Sequence, residues 1–364
     1  MFKIKKQLSK LYLSSVLGNL SLTGAWVAIL AARGYSLVEI GIAETVFHIT
    51  SLLFEIPSGV LADVFGRKKM LIVSSMMQMI GNIVMIFSNN LFTVCLALSF
   101  FALNYNFASG TGDALAYDSL KLAKIEEKFE KYESNQLIIY RLCSGISTLC
   151  AGFALFIGYK IAYGTGLITG IIQILILSSL HEVYAADPQG NKESKTIRRL
   201  IACFRESILF LKRARKIIGL MMCNSFVGAL DILLLFFLQA KLLEKGIPEW
   251  GLGFALLFME MGGVVGSKLI LKFPKLSYKW VFAITISLVL AGVLAEHSSW
   301  YLIMAIGGFI SAIGDDALQV RTNAILQNMF PSEQRATLTS VESFTFSIIM
   351  IVLSPLAGFV FLYW

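Results

Sequence analysis

The stretch MLIVSSMMQMIGNIVMIFSNNLFTVCLALSFFALNYNFASGTG, Met70 to Gly112, runs for 43 residues without one Asp, Glu, Lys or Arg. A helix crossing a bilayer needs about 20 apolar residues at about 1.5 Å rise each. The stretch therefore holds two crossings, with Ser88-Asn89-Asn90 as the turn between them. The rest of the chain has the same character: of 364 residues, 57% are hydrophobic and 15% charged, against about 45–50% and about 25% in soluble domains. That composition excludes a soluble globular domain, a disordered chain, a fibrous repeat and a secreted mini-protein.

Working outward, eleven spans are expected at about 11–32, 36–62, 69–88, 91–118, 135–158, 160–180, 216–240, 250–271, 279–296, 299–322 and 339–362. Backbone polar groups in lipid must be satisfied within each segment, so the spans are helices, and no alternating ten-residue pattern of a barrel is present. Leu11 to Ala32 is 22 residues long, beyond a secretory h-region, and reads as a retained first helix. With a cytoplasmic N-terminus, 25 of the 31 Lys and Arg fall in inner segments and 4 in outer loops. That asymmetry predicts N-inside topology in the cell membrane, and an odd number of spans puts Trp364 outside. The net charge of +8 is then a topology signal, and no nucleic-acid partner is expected. Five cysteines without CxxC spacing read as packing residues, and neither a metal nor a cofactor is expected.

The longest polar gap divides the chain into a six-helix bundle over 1–180, a basic linker over 181–215 and a five-helix bundle over 216–364. In the linker, Ile197, Leu200, Ile201, Phe204, Ile208 and Leu211 follow a helical period, as in a helix lying on an anionic leaflet. Two internal matches support a duplicated unit. Ser109-Gly110-Thr111-Gly112-Asp113 matches Ser311-Ala312-Ile313-Gly314-Asp315 at an offset of 202, and Ala151-Gly152-Phe153 matches Ala357-Gly358-Phe359 at an offset of 206. The fold class expected is all-α integral membrane, with two pseudo-repeats of six and five helices and a twelfth helix missing.

Gly59-Val60-Leu61-Ala62-Asp63-Val64-Phe65-Gly66-Arg67-Lys68-Lys69 follows the second span. It resembles the signature loop of the major facilitator superfamily, G-x-x-x-D-x-x-G-R-[RK]-[RK]. Read physically, Gly59 permits close helix approach, Gly66 allows a tight turn, and Asp63 can accept from Arg67 or from a neighbouring helix. The resemblance implies the major facilitator fold, a multi-pass transporter without enzymatic activity, and a conformational latch on Gly59, Asp63, Gly66 and Arg67. Span 4 lacks the Arg, and span 5 the Gly-Pro-rich motif, of many drug-exporting members. Phe54-Glu55-Ile56-Pro57-Ser58 and the residues around Asp113 and Asp118 look like a bacterial drug-efflux-like branch instead.

Charges inside spans cost about 2.5–3.5 kcal/mol at a helix centre on insertion scales, so each needs a reason. Candidate coupling residues are Asp231 and Glu260 near mid-depth, Asp113, and Glu44. Arg141 is a candidate partner for Asp113, Asp118 or Glu55, and Arg321 for Asp316 or Glu342. His48 reads as a packing histidine. Gly262-Gly263-Val264-Val265-Gly266-Ser267-Lys268 fails the phosphate-loop spacing and reads as a packing face. Because spans 1, 4, 7 and 10 line the cavity in the family, the resemblance implies substrate contacts at Asn19, Trp26, Asn104, Tyr105, Asn224 and Asp315. The expectation is a monomeric secondary transporter in the lipid bilayer that exports a small-molecule substrate by alternating access, with protons as the candidate coupling ion. An uptake carrier and a transport-incompetent remnant are the alternatives.

Overall fold

The computed structural model describes residues 4–183, 215–329 and 335–363. The amphipathic face expected in the linker, and Trp364, lie outside the described residues. Among those described, fourteen α-helices follow in order: α1 Ile4–Asn19, α2 Trp26–Ala32, α3 Leu37–Phe65, α4 Arg67–Phe87, α5 Leu91–Ala108, α6 Thr111–Leu122, α7 Phe129–Leu149, α8 Ala151–Ile157 and α9 Tyr159–Ser178. After the linker come α10 Arg215–Glu244, α11 Glu249–Ile270, α12 Tyr278–Ala295, α13 Tyr301–Met329 and α14 Arg335–Tyr363. Among the described residues, with α5 and α6 counted as one, nine helices are long and apolar enough to cross a membrane, and α7 with α8 makes a tenth, bent by 49°. The eleventh expected span is the pair α1 and α2.

Two of the broken spans show a local cause for the break. Between α1 and α2 the Ser21 amide donates to Ser147 Oγ at 3.0 Å, and Ser147 Oγ donates to the Asn19 carbonyl at 3.4 Å. Thr23 N donates to Ser21 Oγ at 3.0 Å. Hydroxyls thus replace the helix partners the break removes, as lipid requires. Between α5 and α6, Gly110 has φ +66°, a left-handed conformation that glycine adopts without penalty.

By packing, the chain forms two compact units. The first comprises Met1–Gly24, Thr50–Ser147 and Ile157–Phe204, the second Ala25–Ile49, Thr148–Phe156 and Arg205–Trp364. The first has an apolar core of Leu11, Leu115, Ala116, Tyr132, Leu177 and Leu180. Buried Gln7 ties α1 to the end of α9, donating to the His181 carbonyl at 2.8 Å and accepting from the His181 amide at 3.1 Å.

In the second unit α13 is gripped on two faces. A Cβ on Gly262 or Gly266 of α11 would strike the carbonyl of Phe309 or Ile313, and one on Gly314 would meet the Thr285 carbonyl of α12 at 2.7 Å. The glycine run of α11 is therefore a helix-packing face, as its spacing indicated. The same unit places α2 against α10, with Trp26 edge-on to Phe236 at 5.5 Å.

Candidate functional site

The signature turn is the junction of α3 and α4. Gly66 has φ +99°, a backbone conformation that favours glycine, and a Cβ there would lie 2.6 Å from Glu182 Oε2 and displace that carboxylate. The Glu182 carboxylate accepts from the Lys68 amide at 3.1 and 3.2 Å, which places an anion on the positive end of α4. Arg67 extends to α6, where it donates to the Ala114 carbonyl at 2.6 Å and pairs with Asp118. Both side chains of that pair are mostly buried, at 17% and 14% exposure.

Several sequence expectations change here. Asp118 is taken by Arg67; the side chains of Asp63 and Arg141 lie outside those described. Gly59 is exposed, and a Cβ there meets nothing within 4 Å among the described residues. Glu182, which the sequence reading did not single out, completes the corner; its acidic charge just after the sixth span was the available signal.

A second constellation lies among α10, α11 and α13. Asp231 is 4% exposed, and Asp315 and Asp316 are close enough for charge repulsion with it. Asp315 sits over Gly228 of α10, at 3.2 Å from where a Cβ would be, and Asp316 sits over Gly263 of α11. Small residues on two helices thus make room for carboxylates from the third. Ser311, fully buried, stands beside Asp231, yet neither its Oγ nor Asp231 Oδ1 makes a hydrogen bond of good geometry among the described residues. The one basic side chain of α13, Arg321, is engaged elsewhere. It donates to the carbonyls of Phe273 at 2.7 Å, Pro274 at 3.1 Å and Leu276 at 3.2 Å, capping the end of α11 and the turn beyond it. The expected pairing of Arg321 with Asp316 or Glu342 is not what its hydrogen bonds show: its donors go to these backbone carbonyls. Glu342 accepts from Asn224 Nδ2 at 3.3 Å instead.

The remaining candidates are dispersed. Glu44 pairs with His48, and Glu260 accepts from Thr148 Oγ1 at 3.0 Å. Asn104 accepts from the Ser74 hydroxyl at 2.8 Å, which commits it to the α4–α5 contact, and Asn19 donates to its own helix at Ser15. Tyr105 is 56% exposed and lies within electrostatic reach of Glu55 and Tyr140. Asp113 is half-buried in the first turn of α6. Among the described residues no group of three or more His, Cys, Asp or Glu is placed to hold a metal ion.

Beside this geometry stands a match over most of the chain: the Major Facilitator Superfamily profile fits residues 11–294. The chain belongs to the major facilitator superfamily. Membership makes it a multi-pass membrane transporter with a small-molecule substrate. A relative from Bacillus subtilis (strain 168), named "Uncharacterized MFS-type transporter YxaM", is 21% identical over 324 residues, covering 87% of this chain and 79% of that protein. Among solved structures, the nucleoside transporter NupG superposes with a TM-score of 0.71 at 15% identity, over 99% of this chain and 91% of that one. The peptide transporter POT in complex with sulfate gives 0.72 at 12%, over 98% and 90%. The D-xylose-proton symporter gives 0.65 at 11%, over 96% and 87%. At these identities the structures establish the superfamily fold.

Proposed function

We propose that this superfamily member is a secondary active exporter of a small organic compound, working by alternating access and driven by protons through Asp231. It resides in the cell membrane with its N-terminus cytoplasmic and the end of α14 outside. The bundles expected from the sequence, 1–180 and 216–364, are its moving halves, and Asp63 joins Arg67 and Gly66 in the latch. The observation that carries the coupling reading is the Asp231 carboxylate, buried next to Asp315 and Asp316. A charged carboxylate buried inside a span is costly, and a bound proton relieves the cost. Asn224 and Tyr105 are the substrate contacts this reading retains, since Asn224 has an unused buried oxygen among the described residues and Tyr105 is exposed.

The test uses inverted membrane vesicles loaded with a proton gradient and ethidium as probe. The parent protein is expected to concentrate the dye, and Asp231→Asn to lose gradient-driven accumulation at least tenfold while retaining dye exchange in the absence of a gradient. Dye movement only in right-side-out vesicles would convert the reading to uptake. Full gradient-driven transport by Asp231→Asn at equal protein level would remove Asp231 from coupling.

A further inference from the structure

The glycines of the second unit serve two different purposes. A Cβ at Gly262 or Gly266 would strike backbone of α13, which is close helix packing. At Gly263 of α11, by contrast, the three nearest atoms to a Cβ all belong to the Asp316 side chain, and at Gly228 of α10 all three belong to Asp315. Glycine inside a helix costs stability. At these two positions it makes room for carboxylates and not for backbone.

The polar groups of α13 and α10 are in step. Ser311 and Asp315 are four residues apart on one unbroken helix and so share a face. In the first copy the matching Ser109 and Asp113 are separated by the break at Gly110. On α10, Gly228 and Asp231 are one turn apart. Asp315 lies over Gly228 and Ser311 stands beside Asp231, so the two carboxylates face the seam offset by about one turn, about 5–6 Å.

This seam is dry and unpartnered. Ser311 is 0% exposed and Asp231 4%, and Ser311 Oγ and Asp231 Oδ1 have no hydrogen-bond partner among the described residues. Buried polar atoms are almost always paired, so two adjacent orphans call for a ligand. Among the described residues no ion pair reaches Asp231 or Asp315. The basic side chains of the flanking helices sit at helix ends: Lys216 and Lys241 on α10, Lys268 on α11 and Lys279 on α12. Arg321 is spent on carbonyls.

We propose that Asp231, Asp315 and Ser311 form a binding site for Na+, with Asp316 adding negative charge from the α11 side. The ligands are hard oxygens, which suit a hard cation. Na+ has nearly the radius of Ca2+, whose oxygen ligands lie at about 2.3–2.6 Å, so one ion bridges two carboxylate oxygens up to about 5 Å apart. Ca2+ itself takes about 6–8 oxygens, and Mg2+ requires a near-ideal octahedron. No three acidic groups converge on one point among the described residues, and the carbonyls of unbroken helices are held in their own ladders. A site of two carboxylates and a hydroxyl is therefore suited to a single charge. The inference deepens the coupling reading of Asp231, on which its role in transport rests.

The test reads binding on the purified full chain, without substrate or gradient. A failure of dye export therefore leaves it standing, and a missing Na+ effect leaves the export test untouched. Raising NaCl from about 1 to about 100 mM against choline chloride at constant ionic strength is expected to raise the thermal midpoint saturably, by at least about 3 °C. Asp231→Asn should abolish the rise. Ser311→Ala, a smaller change that serves if Asp231→Asn does not fold, should raise the half-saturating Na+ concentration at least about threefold while leaving the midpoint in choline nearly unchanged. No saturable rise with Na+ over choline, an equal rise with K+, or an unaltered Na+ response in both variants overturns the site.

Discussion

The fourth and tenth spans descend from the same sequence pattern and end in opposite chemistry. In the first copy the helix breaks at Gly110, and the resumed helix α6 offers Asp118 to an arginine on the signature turn. In the second copy Ala312 stands where Gly110 does, α13 runs unbroken from Tyr301 to Met329, and the arginine sits on the span itself, donating to carbonyls of the turn after α11. Each corner joins a span to the turn after its second or eighth helix, but one join is an ion pair and the other is a cation on neutral dipoles. An ion pair can be made and broken with a change of partner, whereas a fork filled by backbone carbonyls is a fixed cap. The first corner is accordingly the one suited to switching.

The largest effect expected from breaking this asymmetry is at Arg67. Arg67→Ala leaves Asp118 mostly buried without its partner, a change worth about 3–5 kcal/mol for fully buried pairs and less here because both groups retain some water. Gradient-driven dye transport should fall at least tenfold at equal membrane abundance, and the double exchange Arg67→Asp with Asp118→Arg should recover part of it. Arg321→Gln is expected to act on stability instead: it forfeits charge-assisted bonds to carbonyls, at about 2 kcal/mol in total, seen as a lower midpoint in thermal size-exclusion assays with transport per folded molecule unchanged. Equal transport defects in the two variants would erase the distinction.

A smaller effect separates the two helices themselves. Gly110→Ala forces a Cβ into a left-handed backbone, at about 1–2 kcal/mol, while Ala312→Gly should cost about 1 kcal/mol through helix propensity alone. Thermal midpoints of the purified variants measure both. The opposite sign is expected at Gly59→Ala, which lies inside α3 and whose new methyl meets nothing within 4 Å among the described residues, so helix propensity should stabilise it by up to about 1 kcal/mol. A transport defect at Gly59→Ala with unchanged stability would show that the residue is used in another conformation of the latch.

The positions of the spans were legible because lipid demands long apolar helices, and each of the eleven expected segments has a counterpart. The signature turn was legible because Gly66 and Arg67 are local. What escaped notice was set by partners distant in sequence. Asp118 lies 51 residues from Arg67 and Glu182 114 from Lys68, and nothing in either neighbourhood names the other. His48 is a buried packing residue against Phe346, and only its pairing with Glu44 is added by the structure. The break between α1 and α2 was hidden because Leu20 to Ala25 is mild in composition and the stabilising hydroxyl comes from Ser147.

That break bears on how the protein is made. At about 1.5 Å per residue, α1 is about 24 Å long and α2 about 10 Å, so neither alone matches a hydrocarbon layer of about 30 Å. The amide and carbonyl freed between them find their partner in a residue synthesised more than a hundred positions later. The first span is therefore expected to stay incompletely satisfied during translation until the fifth emerges and docks. A nascent chain arrested before Ser147 should show this segment extractable by mild alkali, and one arrested beyond α8 should hold it firmly; that outcome would mark assembly of the N-terminal half as concerted rather than helix by helix.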